Sequence, residues 1–132
     1  RDQPRSRGLG DVYKRQCKNT TMVGSDILIY RLVYNLVENA IKYNHSGRQV
    51  TVTAYQKEKH VYLSVEDTGN GIPEELRERV FEPFFRVDKS RSRELGGVGL
   101  GLALVHEIVR VHDGSITVKS SPSGGTIFDV IF

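Results

Sequence analysis

Two stretches of this chain alternate apolar and polar residues in period two. They are "QVTVTAYQ" (49–56) and "HVYLSVED" (60–67), separated by the charged "KEK". That spacing puts every second side chain on one face, so the pair predicts an antiparallel hairpin with one face to bury. A lone hairpin cannot bury it, so other elements must cover it. Ahead of the hairpin, residues 25–43 carry Val33, Leu36, Val37, Ala40 and Ile41 on one helical face, with Ser25 or Asp26 as the cap. After it, "TGNGIP" breaks the strand, and Pro73 suits the first turn of a short helix in "PEELRERVFEPFF". Residues 86–97 are polar, basic and glycine-ended, which predicts a mobile loop. A helix from about Gly99 to Val111 follows, then a hairpin of "GSITVKSS" and "GTIFDVIF" around "PSGG". Helix, two strands, helix, loop, helix, two strands predicts the α/β class. We expect a two-layer α/β sandwich, its mixed, largely antiparallel sheet carrying helices on one face. A doubly wound sheet would need strand–helix alternation throughout.

Size and charge narrow the functions. The 132 residues suit one domain, and no apolar run approaches the length of a bilayer span. The single cysteine, Cys17, cannot form an internal disulfide. The net charge of +3 is concentrated in residues 1–16, which hold five of the nineteen basic and two of the sixteen acidic residues. Fourteen of each sign remain in 17–132, so the basic footprint of a nucleic-acid binder is missing there. The prefix "RDQPRSRGLGDVYKRQ" has no apolar periodicity and no cap, and "DVYKRQ" resembles a translated transposase end. We set residues 1–16 apart as an artefactual or disordered prefix, and take 17–132 as the domain.

Three constellations could carry chemistry. Asn35, Glu38, Asn39 and Lys42 share the face of the first helix opposite its apolar stripe. A solvated surface would also be polar, but two asparagines one turn apart are poor helix formers with no structural gain. An amide oxygen can ligate a hard cation, a lysine can meet phosphate, and a carboxylate can act as a base. Asp67 ends a strand before Gly69, Gly71 and Ile72. A carboxylate there can accept from an exocyclic amine such as that of adenine, although a plain Asp–Gly turn has the same letters. Gly97, Gly99 and Gly101 open the next helix, where orphan N–H groups attract phosphate. A dinucleotide fingerprint would follow the first strand of a βαβ unit, and a Walker loop needs Gly-Lys-Ser/Thr, so neither fits. "HEIVR" (106–110) lacks the second histidine of a zinc-protease helix.

Taken together, these segments resemble the catalytic ATP-binding domain of sensor histidine kinases, which shares the Bergerat-type fold of gyrase-type, chaperone and mismatch-repair ATPases. "NLVENAIKYN" (35–44) resembles the family's N box and "DTGNGIP" (67–73) its first glycine box. "FEPFFRVDKSRSRE" (81–94) resembles the F box and lid, "GGVGLGLAL" (96–104) the second glycine box, and "GGTIF" (124–128) the last. Five motifs in order, over about residues 20–132, are specific where any one is not.

The resemblance implies ATP and Mg²⁺, with Asn39 on the metal and Asn35 supporting it. Lys42 would contact phosphate and Tyr43 would line the pocket. Asp67 would hold the adenine amine beside Gly69, Gly71 and Ile72, with Thr126 completing the adenine pocket. Gly97, Gly99, Leu100 and Gly101 would hinge the lid and offer N–H groups to phosphate. Arg86 would stabilise charge on the γ-phosphate, and Glu38 would take the proton of the attacking histidine. Val98 departs from the family's Thr or Ser. His106-Glu107 does not qualify as the phospho-accepting histidine, which sits on a helical hairpin preceding this domain. The implied partners are therefore that dimerisation hairpin, in a homodimer, and a response regulator. Nucleic acid is not among them. The implied setting is a cytoplasmic domain, reaching a membrane only through other parts of a sensor. Two alternatives stay open: an anti-sigma-factor-type serine kinase of the same fold, and a non-catalytic nucleotide-binding module.

Overall fold

The computed structural model describes residues 12–17, 22–42, 49–86 and 100–132. Its regular elements are β1 (Val12–Cys17), α1 (Asp26–Lys42), β2 (Gln49–Lys57), β3 (His60–Asp67), α2 (Gly101–Val111), β4 (Ser115–Ser120) and β5 (Thr126–Ile131). The five strands form one sheet in the order β1-β2-β3-β5-β4. β1 runs parallel to β2, and every other pairing is antiparallel. The sheet is thus mixed and largely antiparallel, as expected.

The period-two pattern decides which face is covered. Val52 pairs with Val65, Val65 with Phe128, and Phe128 with Val118, one apolar row across four strands. Ala54, Leu63, Val130 and Ile116 make the next row. Leu32, Leu36, Val37 and Ala40 of α1 and Val105, Ile108 and Val109 of α2 pack on that face and are almost wholly buried. Each Leu, Val or Ile side chain among them contributes about 1.5–3 kcal/mol when removed from water, which is why the helices lie flat on the sheet. The Tyr55 and Tyr62 rings stack at 5.0 Å near one end of the hairpin.

Ser25 is the cap of α1. Its Oγ accepts from Leu28 N–H (3.3 Å) and its carbonyl from Ile29 N–H (2.9 Å). Its own N–H donates to His112 Nε2 at 3.2 Å, while His112 Nδ1 lies 2.8 Å from the Ile108 carbonyl oxygen. These contacts suit a neutral imidazole that donates from Nδ1 and accepts at Nε2. One histidine therefore ties the start of α1 to the end of α2, which makes the two helices antiparallel.

Three expectations change. The segment after Pro73 is not a continuous α-helix but two 3₁₀ turns, Glu74–Leu76 and Arg79–Phe81. Pro83 forces Glu82 into extended backbone (ψ 139°), so the helix must stop at Phe81. The eight residues left are too few to sustain α-helix nucleation. The last helix begins at Gly101 rather than about Gly99, which lies outside the described residues. A strand also occupies 12–17, taking in residues that the sequence reading set apart. An extended segment can fill the open hydrogen-bonding edge of β2 through its backbone alone, and such pairing leaves no apolar signature.

Candidate functional site

Both helices and four strands meet at one end of the sheet. The last row there is Val50, Asp67, Thr126 and Ser120, one residue from each of β2, β3, β5 and β4. The alternation that buries Leu63 and Val65 also turns Asp67 onto the helix-covered face, where it is only 8% exposed. A carboxylate in that position must be satisfied or neutralised. Its Oδ1 accepts from Gly69 N–H at 2.9 Å. Burial nevertheless pushes its pKa above the ordinary 3.8, partly offset by backbone donors at Gly69 and Thr126, while the nearby Glu66 charge adds to the rise. Thr126, the partner of Asp67 across the ladder, is 5% exposed.

Glycines make the turn beyond Asp67 possible. Gly71 has φ of +80°, and a Cβ on it would stand 2.6 Å from the Gly124 carbonyl oxygen. A Cβ on Gly125 would drive into the backbone of Asp67 itself. The β4–β5 turn therefore lies backbone against backbone on the Asp67–Ile72 segment. Ile72 is half-buried against the edge of the core.

The polar stripe of α1 is not an ordinary solvated face. Asn35, Glu38, Asn39 and Lys42 are all half-buried. Asn35 donates from Nδ2 to the Arg31 carbonyl (2.7 Å), one turn back. Its Oδ1 faces the start of α2, where a Cβ on Gly101 would stand 3.0 Å away. Tyr34 hydroxyl donates weakly to Glu38 Oε2 at 3.4 Å. Leu100 precedes α2 without a side-chain cap, so the first N–H groups of α2 receive no help from that side chain. Among the described residues, the Nε of Arg86 is buried and has no hydrogen-bond partner. Tyr43, Gly97, Val98 and Gly99, with most of the expected lid, lie outside the described residues.

This donor set suits a nucleotide. It offers a buried acceptor beside a glycine turn, amide oxygens on an adjacent helix, a helix start and an orphaned guanidinium nitrogen. Among the described residues no group of three or more His, Cys, Asp or Glu could hold a metal. No described helix is long and apolar enough to cross a membrane.

Several contributors escape sequence reading. Arg77 donates from Nε to the Ile72 carbonyl (3.3 Å) and from Nη2 to Ser120 Oγ (2.6 Å). Ser121 Oγ donates to Glu66 Oε2 at 2.7 Å. Phe81 packs on His106 and, edge-on, on Phe128. The doublet Gly124-Gly125 was the one signal available, since paired glycines beside a strand suggest close backbone approach.

The comparisons agree with this geometry. Residues 24–132 match the family of histidine kinase-, DNA gyrase B- and HSP90-like ATPases. The sensor histidine kinase RppB of Synechocystis sp. is 43% identical over 107 residues, covering 81% of this chain but 24% of RppB. The structure of the mycobacterial sensor histidine kinase MprB superposes with a TM-score of 0.82 at 30% identity, covering 93% of this chain and 81% of that one. The histidine kinase ThkA, solved in complex with the response regulator protein TrrA, gives 0.72 at 27% identity, over 92% of this chain and 34% of that one. The chain thus spans about a quarter of the length of RppB. It belongs to the histidine kinase-, gyrase- and HSP90-like ATPase family, as the catalytic ATPase domain of a sensor histidine kinase.

Proposed function

We propose that this domain binds Mg-ATP at the Asp67 end of the sheet and, within its parent, donates the γ-phosphoryl group to a histidine on a dimerisation hairpin. The observation that carries the reading is the buried Asp67 carboxylate in the last sheet row, bounded by the glycine turn and by Thr126. Asp67 accepts from the adenine amine, which distinguishes it from the carbonyl that guanine presents at the same edge. Gly69, Gly71 and Ile72 flank the ring and Thr126 closes the slot behind it. Asn39 offers its amide oxygen to Mg²⁺, and Asn35, already fixed through Arg31, keeps that part of α1 in register. Mg²⁺ held there would supply positive charge to offset that of the phosphates. Lys42 adds a positive charge on the phosphate side, and Tyr43 borders the pocket. Leu100 and Gly101, with Gly97 and Gly99 before them, direct N–H groups to the phosphates. Arg86 supplies its guanidinium, whose buried Nε has no partner among the described residues, to the γ-phosphoryl charge that grows during transfer, and Glu38 takes the proton of the incoming imidazole. Positioning and charge neutralisation are what phosphoryl transfer asks of a protein.

The partners follow from this role: the hairpin of a homodimeric parent and a response regulator that receives the phosphoryl group on an aspartate. The complex of ThkA with TrrA supports the second of these. Such a parent would carry the domain on the cytoplasmic side of a membrane sensor. The deciding experiment is a titration of the chain with ATP and Mg²⁺. We expect Asn39→Ala to remove the Mg²⁺ dependence and Asp67→Asn to weaken binding at least tenfold, as loss of a charged hydrogen bond should. Unchanged affinity in both variants would refute the site.

A further inference from the structure

Arg77 is a long cation that reaches the Asp67 row from outside the sheet. It sits just after the first 3₁₀ turn, and its guanidinium makes two bonds in different directions. Nε holds the carbonyl of Ile72, and Nη2 holds Ser120 Oγ on β4. Ser120 pairs with Thr126, which pairs with Asp67, so all three side chains share the helix-covered face. The serine is thus two strands away from Asp67, in the same row.

Its neighbour works on the opposite face. Ser121 is 5% exposed and donates to Glu66, the residue before Asp67. Ser121 Oγ also meets Ser123 Oγ (2.8 Å) and accepts from Ser123 N–H (3.2 Å), while Ser121 N–H bonds the Gly125 carbonyl (3.0 Å). The end of β4 is therefore anchored from behind through Glu66. It is a fixed post to which Arg77 ties the far limb of the Asp67–Ile72 turn. A planar guanidinium fork can hold two acceptors at set angles, whereas an ammonium cannot.

We propose that Arg77 and Ser120 are positioning residues of the base-binding slot: by fixing the Ile72 carbonyl to the Asp67–Thr126–Ser120 row, they set the slot's width and hence its grip on adenine. This rests on the reading of Asp67–Ile72 as the adenine turn. Neither residue touches the phosphate side, which is built from α1 and the start of α2.

The consequence is a separation of base affinity from phosphate affinity. We would titrate the full chain with Mg-ATP, Mg-GTP and inorganic triphosphate with Mg²⁺. Arg77→Met should weaken ATP roughly tenfold, narrow the ATP-to-GTP ratio, and leave triphosphate within about twofold. Arg77→Lys should not restore ATP affinity. Ser120→Ala, at an exposed side chain that the fold can spare, should reproduce part of the loss and add little to Arg77→Met, as coupled partners do. Equal weakening of ATP and triphosphate would mean a general structural role and overturn the inference. So would unchanged ATP affinity in both single variants. Asp67→Asn separates the two readings: if it weakens ATP while Arg77→Met does not, only this inference falls. If Asp67→Asn has no effect either, the adenine turn falls with it.

Discussion

The two ends of the sheet make the same kind of connection in different ways. At one end, β2 and β3 are joined through Glu58 and Lys59, both exposed, with Glu58 in the left-handed region at φ of 58°. At the other, β4 and β5 are joined through Ser121–Gly125, where Ser121 and Gly125 are buried and Gly124 has φ of +95°. The first turn contacts little and accepts the strain of a side chain at positive φ. The second spends two glycines to lie against the backbone of the Asp67 turn. The helices differ between the ends in the same sense. Where α1 starts and α2 stops, the polar contacts are structural, a serine cap tied to a neutral histidine. Where α1 stops and α2 starts, the polar groups Asn35, Glu38, Asn39 and Lys42 are half-buried, at the end of the sheet that holds Asp67. Polar burial without a structural need, gathered at one end, marks a site.

That contrast can be broken by mutation. The largest effect should come from Gly125→Ala. No rotamer can relieve a Cβ driven into the Asp67 backbone, so β5 must shift. We expect a loss of about 3 kcal/mol in urea unfolding, with ATP affinity lost alongside. Retained stability and binding would mean that the close approach of the two turns is not required.

Asp67→Asn should act with opposite signs on fold and function. The folded pKa of Asp67 lies above its ordinary 3.8, so the folded state holds this proton more tightly than the unfolded chain does. Stability is therefore favoured at low pH, and this contribution is lost as pH rises from the ordinary value through the raised one. Asparagine keeps an oxygen for Gly69 N–H without the buried charge. We expect the variant to melt higher than wild type at neutral pH, and to lack that part of the pH dependence, while binding ATP poorly. A lower Tm at neutral pH would show that the ionised carboxylate supports the fold instead.

The smallest effect should come from Glu58→Gly at the opposite end. Relief of a side chain at positive φ, worth about 1 kcal/mol, is set against the greater freedom of glycine in the unfolded chain. The net should stay within about 0.5 kcal/mol by denaturant unfolding, with ATP affinity unchanged. A change in ATP affinity would link the two ends of the sheet and weaken the distinction drawn here.

Much of this was legible in the residues. Period-two alternation in "HVYLSVED" placed Leu63, Val65 and Asp67 on one face, and the spacing of Leu36, Val37 and Ala40 placed Asn35 and Asn39 on the other side of α1. Such patterns are readable because each depends on neighbours within a turn or two of the chain. The segment "PEELRERVFEPFF" misled, because its helical propensity is cut short by Pro83, whose effect falls on the residue before it. β1 was not legible because an edge strand can be recruited by backbone pairing alone. Arg77 was one charged residue among several in "EELRER", and nothing local distinguishes it from Arg79, which lies over the Phe85 ring instead.

The chain by itself therefore determined most of its elements, the face that each of those buries, and the residues proposed to meet adenine, metal and phosphate. Those are consequences of periodicity and of side-chain chemistry, both local properties. Only the tertiary structure decided that Ser120, Thr126 and Asp67 stand in one row, that Gly125 abuts Asp67, and that Arg77 closes the turn onto β4. These contacts join residues far apart in sequence, 43 positions in the case of Arg77 and Ser120. They exist only once register and packing have brought distant backbone together, which is information no short window of sequence contains.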